Sequence, residues 1–345
     1  MPLRLLLLIC LAAAGCRDTH DAANVRTARL GPATGTIAVG IEPHALELAD
    51  GRVALTMMGL HGVVLYDFGS ARADTLGRTG AGPGEFERSD LLVAMGGSRF
   101  GVLDPVLRRA TIYARPGEVE SVIPFATDHV ADVERLSLAA GWFGTGLRGS
   151  HDSLPVLHRP VGAAASDTIA HIHIAPTHRL ELGAIAFNGP IEYAPADFWG
   201  VLPDGRTWIA RGGANRIDWV MADGRRVTGP SIPYTPIRTV DADQHKWQGM
   251  PAPPLIDTFK REMAPFKAPF QGALASDDGQ IWLWLNQAAG YPSEQYLVVG
   301  TDGASILRVE VPLAHRILAV SRRFVYLLGE DSTGDLVVTR HGRPE

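Results

Sequence analysis

Ser276-Asp277-Asp278-Gly279-Gln280-Ile281-Trp282-Leu283-Trp284-Leu285 joins a turn signal to a buried-strand signal. Asp-Gly suits a two-residue hairpin turn, because Gly accepts a positive φ and Asp tolerates one. The run that follows is aliphatic and aromatic throughout, as a strand packed on both faces would be. The pattern recurs at Asp50-Gly51-Arg52-Val53-Ala54-Leu55 and at Asp204-Gly205-Arg206-Thr207-Trp208-Ile209-Ala210. Weaker copies begin at Gly97, Ala140 and Ser321, which makes six copies of one unit.

Each unit reads as four strands. One precedes the turn and one follows it. A β-rich run such as Val63-Val64-Leu65-Tyr66-Asp67 is the third, and a second turn leads to the fourth. In two units that second turn is again Asp-Gly, at Asp223-Gly224 and Asp302-Gly303. Repeated antiparallel meanders of this length predict an all-β fold, a six-bladed β-propeller of four-stranded antiparallel blades. The last unit lacks a fourth strand, because the chain ends soon after Asp335-Leu336-Val337-Val338-Thr339. The early run Thr36-Ile37-Ala38-Val39 has no unit of its own. Placing it on the last blade closes the ring and removes an open edge.

The 345 residues suffice for one large β-domain, and 46% hydrophobic with 20% charged residues is ordinary globular composition. The formal net charge of −5 argues against a nucleic-acid partner, which selects for a basic face. Residues 1–15 read as a signal peptide, with Arg4 as the positive start and an apolar run, Leu5 to Ala14, too short to span a bilayer. Leu11-Ala12-Ala13-Ala14-Gly15-Cys16 resembles a bacterial lipobox, with Ala13 where Leu is preferred. That resemblance implies cleavage before Cys16, lipidation of its thiol, and a membrane reached through the lipid. The other reading is an ordinary secretory signal followed by an incidental cysteine. Residues 16–32 then read as a flexible tether, and residues 33–345 as the propeller domain.

Gly77-Arg78-Thr79-Gly80-Ala81-Gly82-Pro83-Gly84-Glu85-Phe86 resembles the loop of a family of bacterial secreted six-bladed propellers related to NHL-repeat propellers. Pro265-Phe266-Lys267-Ala268-Pro269-Phe270, leading into the Asp278-Gly279 strand, is similar to the same family. The resemblance covers the mature domain and implies fold and export. It implies no single activity, so no catalytic residue carries over. Read physically, the glycines permit unusual backbone angles and Pro83 stiffens the loop. A phosphate loop is excluded by the missing Gly-Lys-Ser/Thr and by the absence of a following helix.

Two insertions interrupt the repeat. Residues 174–197 read as loop, and residues 233–271 contain an expected short helix from Pro254 to Met263. Ile256, Phe259 and Met263 share one face of that helix, which suits a cap on the propeller or a lid. His171-Ile172-His173 places two imidazoles on one strand face, but no nearby carboxylate or thiol completes a metal site.

Loops joining second to third strands open on the same face as the links between blades. They carry His61, Asp104, Arg108, Arg211, Asn215 and Asn286, with Arg109, Gln287 and Glu330 beside them. This rim is the expected ligand-binding surface, and Arg108 and Arg211 suit a polar or anionic small molecule. The competing expectation is that its arginines pair with backbone or Asp as parts of the fold. Three functions follow, the third being an assembly component with a hydrophobic partner surface, which would show as an exposed apolar patch on the helix insertion. One is a membrane-anchored binding or scaffold lipoprotein with a protein or polar ligand, needing no cofactor. The alternative is a hydrolase or lyase resembling calcium-dependent lactonases, with Asp104, Asn215 and Asn286 holding calcium in the central channel. No catalytic set emerges from spacing, which favours binding.

Overall fold

A computed structural model describes residues 25–124, 130–137, 141–146, 152–182, 185–244 and 262–344. Cys16 and the leader lie outside these residues. So does the helix expected from Pro254 to Met263, apart from its last residues.

The Asp-Gly turns explain how each unit starts. Leu48 accepts from the Gly51 N–H at 2.9 Å and donates to the Arg52 carbonyl at 2.8 Å. The same pair of bonds recurs at Leu202–Arg206 and Ser276–Gln280. This is a type I turn closed by a bulge, so the turn is one residue longer than the expected two-residue hairpin. Only the glycine is left-handed, at φ 85° for Gly51 and Gly205 and 82° for Gly279. The aspartate instead braces the turn through its side chain. Asp50 and Asp204 each accept the N–H two residues on, at 3.1 Å.

Six four-stranded antiparallel meanders follow in chain order. Blade 1 runs from His44 to Leu76, blade 2 from Leu91 to Pro124, and blade 3 from Val130 to His173. Blade 4 runs from Phe198 to Ser231 and blade 5 from Phe270 to Pro312. Blade 6 has three strands of its own between Arg316 and Gly342, and Thr36–Ala38 pairs antiparallel with the third as its outermost strand. The ring therefore closes as the missing fourth strand requires.

The hydrophobic core lies between blades. Ile281, Leu283 and Leu285 pack with Trp208 and Trp219 of blade 4, while Trp282 and Trp284 pack with Ile317 and Leu327 of blade 6. Strand 281–285 is thus covered on both faces, which is why its sequence has no polar alternation. Tyr66 and Phe68 of blade 1 meet Tyr326 and Val338 of blade 6, so the closing interface is packed like the others.

Two segments differ from expectation. Thr27–Arg29, within the stretch read as a tether, is a fifth strand running parallel to Ser305–Pro312 at the edge of blade 5. Ala28 and Leu30 give it an apolar side that packs on the cluster between blades 5 and 6. The 174–197 insertion contains a hairpin, Thr177–Leu182 with Ile185–Pro190. Pro176 and Pro190 bracket the hairpin instead of breaking it, since a strand end tolerates a missing N–H. The Gly-rich loop is also ordered: Arg78–Thr79 pairs parallel with Glu85–Phe86. Gly77 has φ 88°, and a Cβ there would lie 2.6 Å from the fully buried Phe86 ring.

Candidate functional site

Antiparallel alternation sends the loops after second strands and the links between blades to one face, as expected. Of the six predicted rim residues, four are engaged by their surroundings. Asp104 is fully buried. One carboxylate oxygen accepts from Val106 and Leu107 N–H at 3.0 and 2.9 Å, the other from Glu87 and Arg88 N–H at 2.8 and 3.2 Å. It holds its own loop against the chain entering blade 2. Asn215, left-handed at φ 48°, donates its amide to the Ile232 carbonyl. Asn286 donates to the Ala268 carbonyl at 2.8 Å.

Arg211 donates to Asp197 at 2.7 Å, to Asp218 at 3.0 Å and to the His171 carbonyl at 2.6 Å. Burial pushes the Asp218 carboxyl up, but bonds from Arg216 and Arg211 outweigh it and hold it below the usual range. Arg109 spreads over the Gly-rich loop, reaching the Ala81, Gly82 and Glu85 carbonyls at 2.6, 2.7 and 2.9 Å. Arg109 thus pairs with backbone and Arg216 with Asp218, while Arg211 pairs with Asp197 and Asp218 and not with Asp104 or Glu330, the partners expected for it and Arg108. His61 and Arg108 differ, since both are exposed and neither bonds to a described residue.

None of the six lines the central channel. Loops after second strands stand at least one strand outside the innermost strand, about 4.8 Å farther from the axis. Asp104, Asn215 and Asn286 are therefore off the channel wall and already bonded, so this donor set does not fit a channel calcium ion. Among the described residues no group of three or more His, Cys, Asp or Glu is arranged to hold a metal. His171 and His173 are both exposed on the outer strand of blade 3.

The same face carries a second feature. Nine large apolar side chains are exposed among the described residues. Seven lie on this face: Ile41, Met58, Val106, Val240, Phe266, Tyr291 and Leu313. Ile41 and Met58 are neighbours, joined by a Met58 N–H to Ile41 carbonyl bond of 2.9 Å. Composition could not flag them, because single exposed apolar residues are common; their shared face is what distinguishes them.

Beneath the 233–271 insertion lies a buried ion pair that sequence reasoning missed. Lys267 and Asp243 are each 3% exposed at the side chain, 2.5 Å apart. The ammonium also donates to the Gln287 carbonyl at 2.6 Å and sits 4.6 Å from the Tyr193 ring centre. A lysine inside the otherwise apolar Phe266 to Phe270 run was the available signal.

No protein-family model matches the sequence, and no curated protein matches it. Solved structures do resemble it. A gluconolactonase from Xanthomonas campestris is 12% identical, with 94% of this chain and 93% of that one covered at a TM-score of 0.46. A member of the DUF4221 family from Bacteroides vulgatus is 10% identical over 90% of this chain and 99% of that one, at 0.44. A calcium-binding regucalcin from Agrobacterium tumefaciens is 14% identical over 93% and 98%, at 0.37. By its own strand pairing, with six antiparallel blades closed by an N-terminal strand, the chain is a six-bladed β-propeller.

Proposed function

We propose that this propeller is a non-enzymatic binding module, exported, anchored to a bacterial membrane by lipid on Cys16, and docking a protein partner through its loop-decorated face. One observation carries the choice of face: among the described residues, seven of the nine exposed large apolar side chains lie on its loops. Large apolar side chains exposed together on the loops of one face favour protein association. The free side chains of His61 and Arg108 stand among Met58 and Val106 on the loops of blades 1 and 2. Asp104, Arg109, Arg211, Asn215 and Asn286 on the rim serve the fold, which supports a protein surface over a small-molecule anion site. Placing aspartate at Met58, Val106 and Leu313 should abolish partner cross-linking in intact envelopes, while Val161→Asp on the opposite face leaves it unchanged. Equal loss from both variants, or none from the first, refutes the assignment of the face. Anchoring is tested separately, by mass spectrometry of the mature N-terminus. An unmodified Cys16 refutes it.

A further inference from the structure

The strand Thr27–Arg29 has a direction as well as a place. It runs parallel to Ser305–Pro312 of blade 5, with Thr27 opposite Arg308 and Arg29 opposite Glu310. The Arg308 N–H also donates to the Arg26 carbonyl at 2.9 Å. Ser305–Pro312 leaves the turn at Gly300–Ala304, on the face opposite the docking loops, and ends at the link to blade 6 on the docking face. Parallel pairing therefore starts Thr27–Arg29 at the turn face. Running the register back sets Val25 level with Ile306. Val25 packs on the cluster between blades 4 and 5, which fixes this point of the chain to the body.

Length then limits where a lipid on Cys16 can lie. Val25 is nine positions after Cys16, so the chain between them spans at most about 30 Å when extended. The eight residues of Ser305–Pro312 separate the two faces by about 25 Å. A tether reaching a bilayer on the docking side would have to run back along that whole strand, leaving about 5 Å of slack. A bilayer on the turn side is reached without the detour.

A second observation lies at the point of entry. Among the described residues, Ile306 is one of two exposed large apolar side chains outside the docking face, at 49%. Arg26 beside it is exposed and forms no ion pair with a described residue. Asp302, in the adjoining turn, accepts the Ala304 N–H of its own turn. An apolar side chain next to a long cationic one suits the boundary between headgroups and acyl chains, where a guanidinium meets phosphate.

We propose that the turn face of blade 5 lies against phospholipid headgroups, with Ile306 and Arg26 as its contacts, so that the docking face opens away from the bilayer. This rests on the anchoring at Cys16 proposed above. It adds which face the anchor turns to the lipid, and that the protein partner approaches from the aqueous side.

Photo-cross-linking in vesicles of phosphatidylethanolamine and phosphatidylglycerol tests this on the mature chain. Cys16 is the single cysteine after residue 15, so a maleimide phospholipid can be coupled to it whether or not a cell lipidates it. Failure here is thereby distinguished from failure of the anchoring itself. Benzoylphenylalanine replaces Ile306 in one sample. In another it replaces Leu313, which is 58% exposed just past the other end of the same strand. Lipid adducts should be several-fold more abundant from position 306. A Gly-Ser run of about fifteen residues inserted before Val25 should bring the two samples toward equality, because the longer chain reaches either face. Arg26→Glu should lower the adduct at position 306, since it meets the anionic surface with like charge. Equal adducts from both positions, or more from position 313, overturn the proposal. So does a preference for position 306 untouched by both the longer tether and Arg26→Glu.

Discussion

Asp277 and Asp278 are adjacent in one turn and have opposite environments. Burial opposes ionisation of Asp278, but bonds from Ser276 and Arg343 outweigh it and hold its carboxyl below the usual range. Asp277 is exposed to solvent, yet partial loss of hydration and two neighbouring carboxylates, without such bonds, raise it from 3.8 to about 6. Between those values the folded protein binds more protons than the unfolded chain, so stability falls as pH rises through that window. Asp277→Asn should therefore raise the melting temperature near pH 8 and have no effect near pH 3.5. Because the side chain is exposed, solvent screening limits the gain to about 1 kcal/mol. An equal shift at both pH values, read by calorimetry, would show that the carboxylate's charge is not the cause. The sequence marks Asp277-Asp278-Gly279 as a turn; which acid is left unbonded depends on Arg343, sixty-five residues away.

At the scale of elements, the 233–271 insertion and the Gly-rich loop are fixed by bonds their own sequences do not announce. Lys267 and Asp243 tie the start and end of the 233–271 insertion together and attach it to blade 5 through Gln287. Breaking such a pair leaves one charge buried without its partner. Lys267→Met should cost about 3–5 kcal/mol in urea unfolding, and adding Asp243→Leu should recover most of that loss. If the double variant is as unstable as the single one, the pair's charge is not what the site requires. Arg109 makes a comparable prediction for the Gly-rich loop. With three carbonyls losing a charged donor, Arg109→Ala should destabilise by about 2–3 kcal/mol. Hydrogen exchange at residues 78–86 should rise with it; unchanged exchange would place Arg109's contribution elsewhere.

For the whole molecule, ring closure depends on one N-terminal strand. Thr36–Ala38 pairs with Val337–Thr339, and Ile37 and Val39 join the cluster between blades 6 and 1. Removing residues 33–39 opens a sheet edge and strips that cluster together. The expected result is a fall of several kcal/mol in one cooperative transition. Ending the deletion before residue 31 should cost less, because Thr27–Arg29 is only an outer fifth strand, half exposed. Similar losses from both deletions would contradict this order. Thr27 lies eleven positions after Cys16. That length of chain spans at most about 40 Å when extended. A lipid on Cys16 would therefore hold blades 5 and 6 close to the membrane.

The sequence by itself determined the unit, the positions of its turns and its number, because these depend on local backbone preference and on apolar runs. It also determined the closing strand, since a four-stranded repeat with one strand missing has one economical completion. Only the tertiary structure decided which polar side chains are committed. Asp104 is satisfied by N–H groups at Glu87 and Arg88, and Arg211 by Asp197 and the His171 carbonyl, partners contributed by other parts of the chain. Radial position was likewise invisible in one dimension. A loop after a second strand and a turn after a first strand look alike as sequence, yet the first strands form most of the channel wall. The carboxylates that reach the lumen are Glu47 and Asp277 for that reason, and not the residues of the opposite rim.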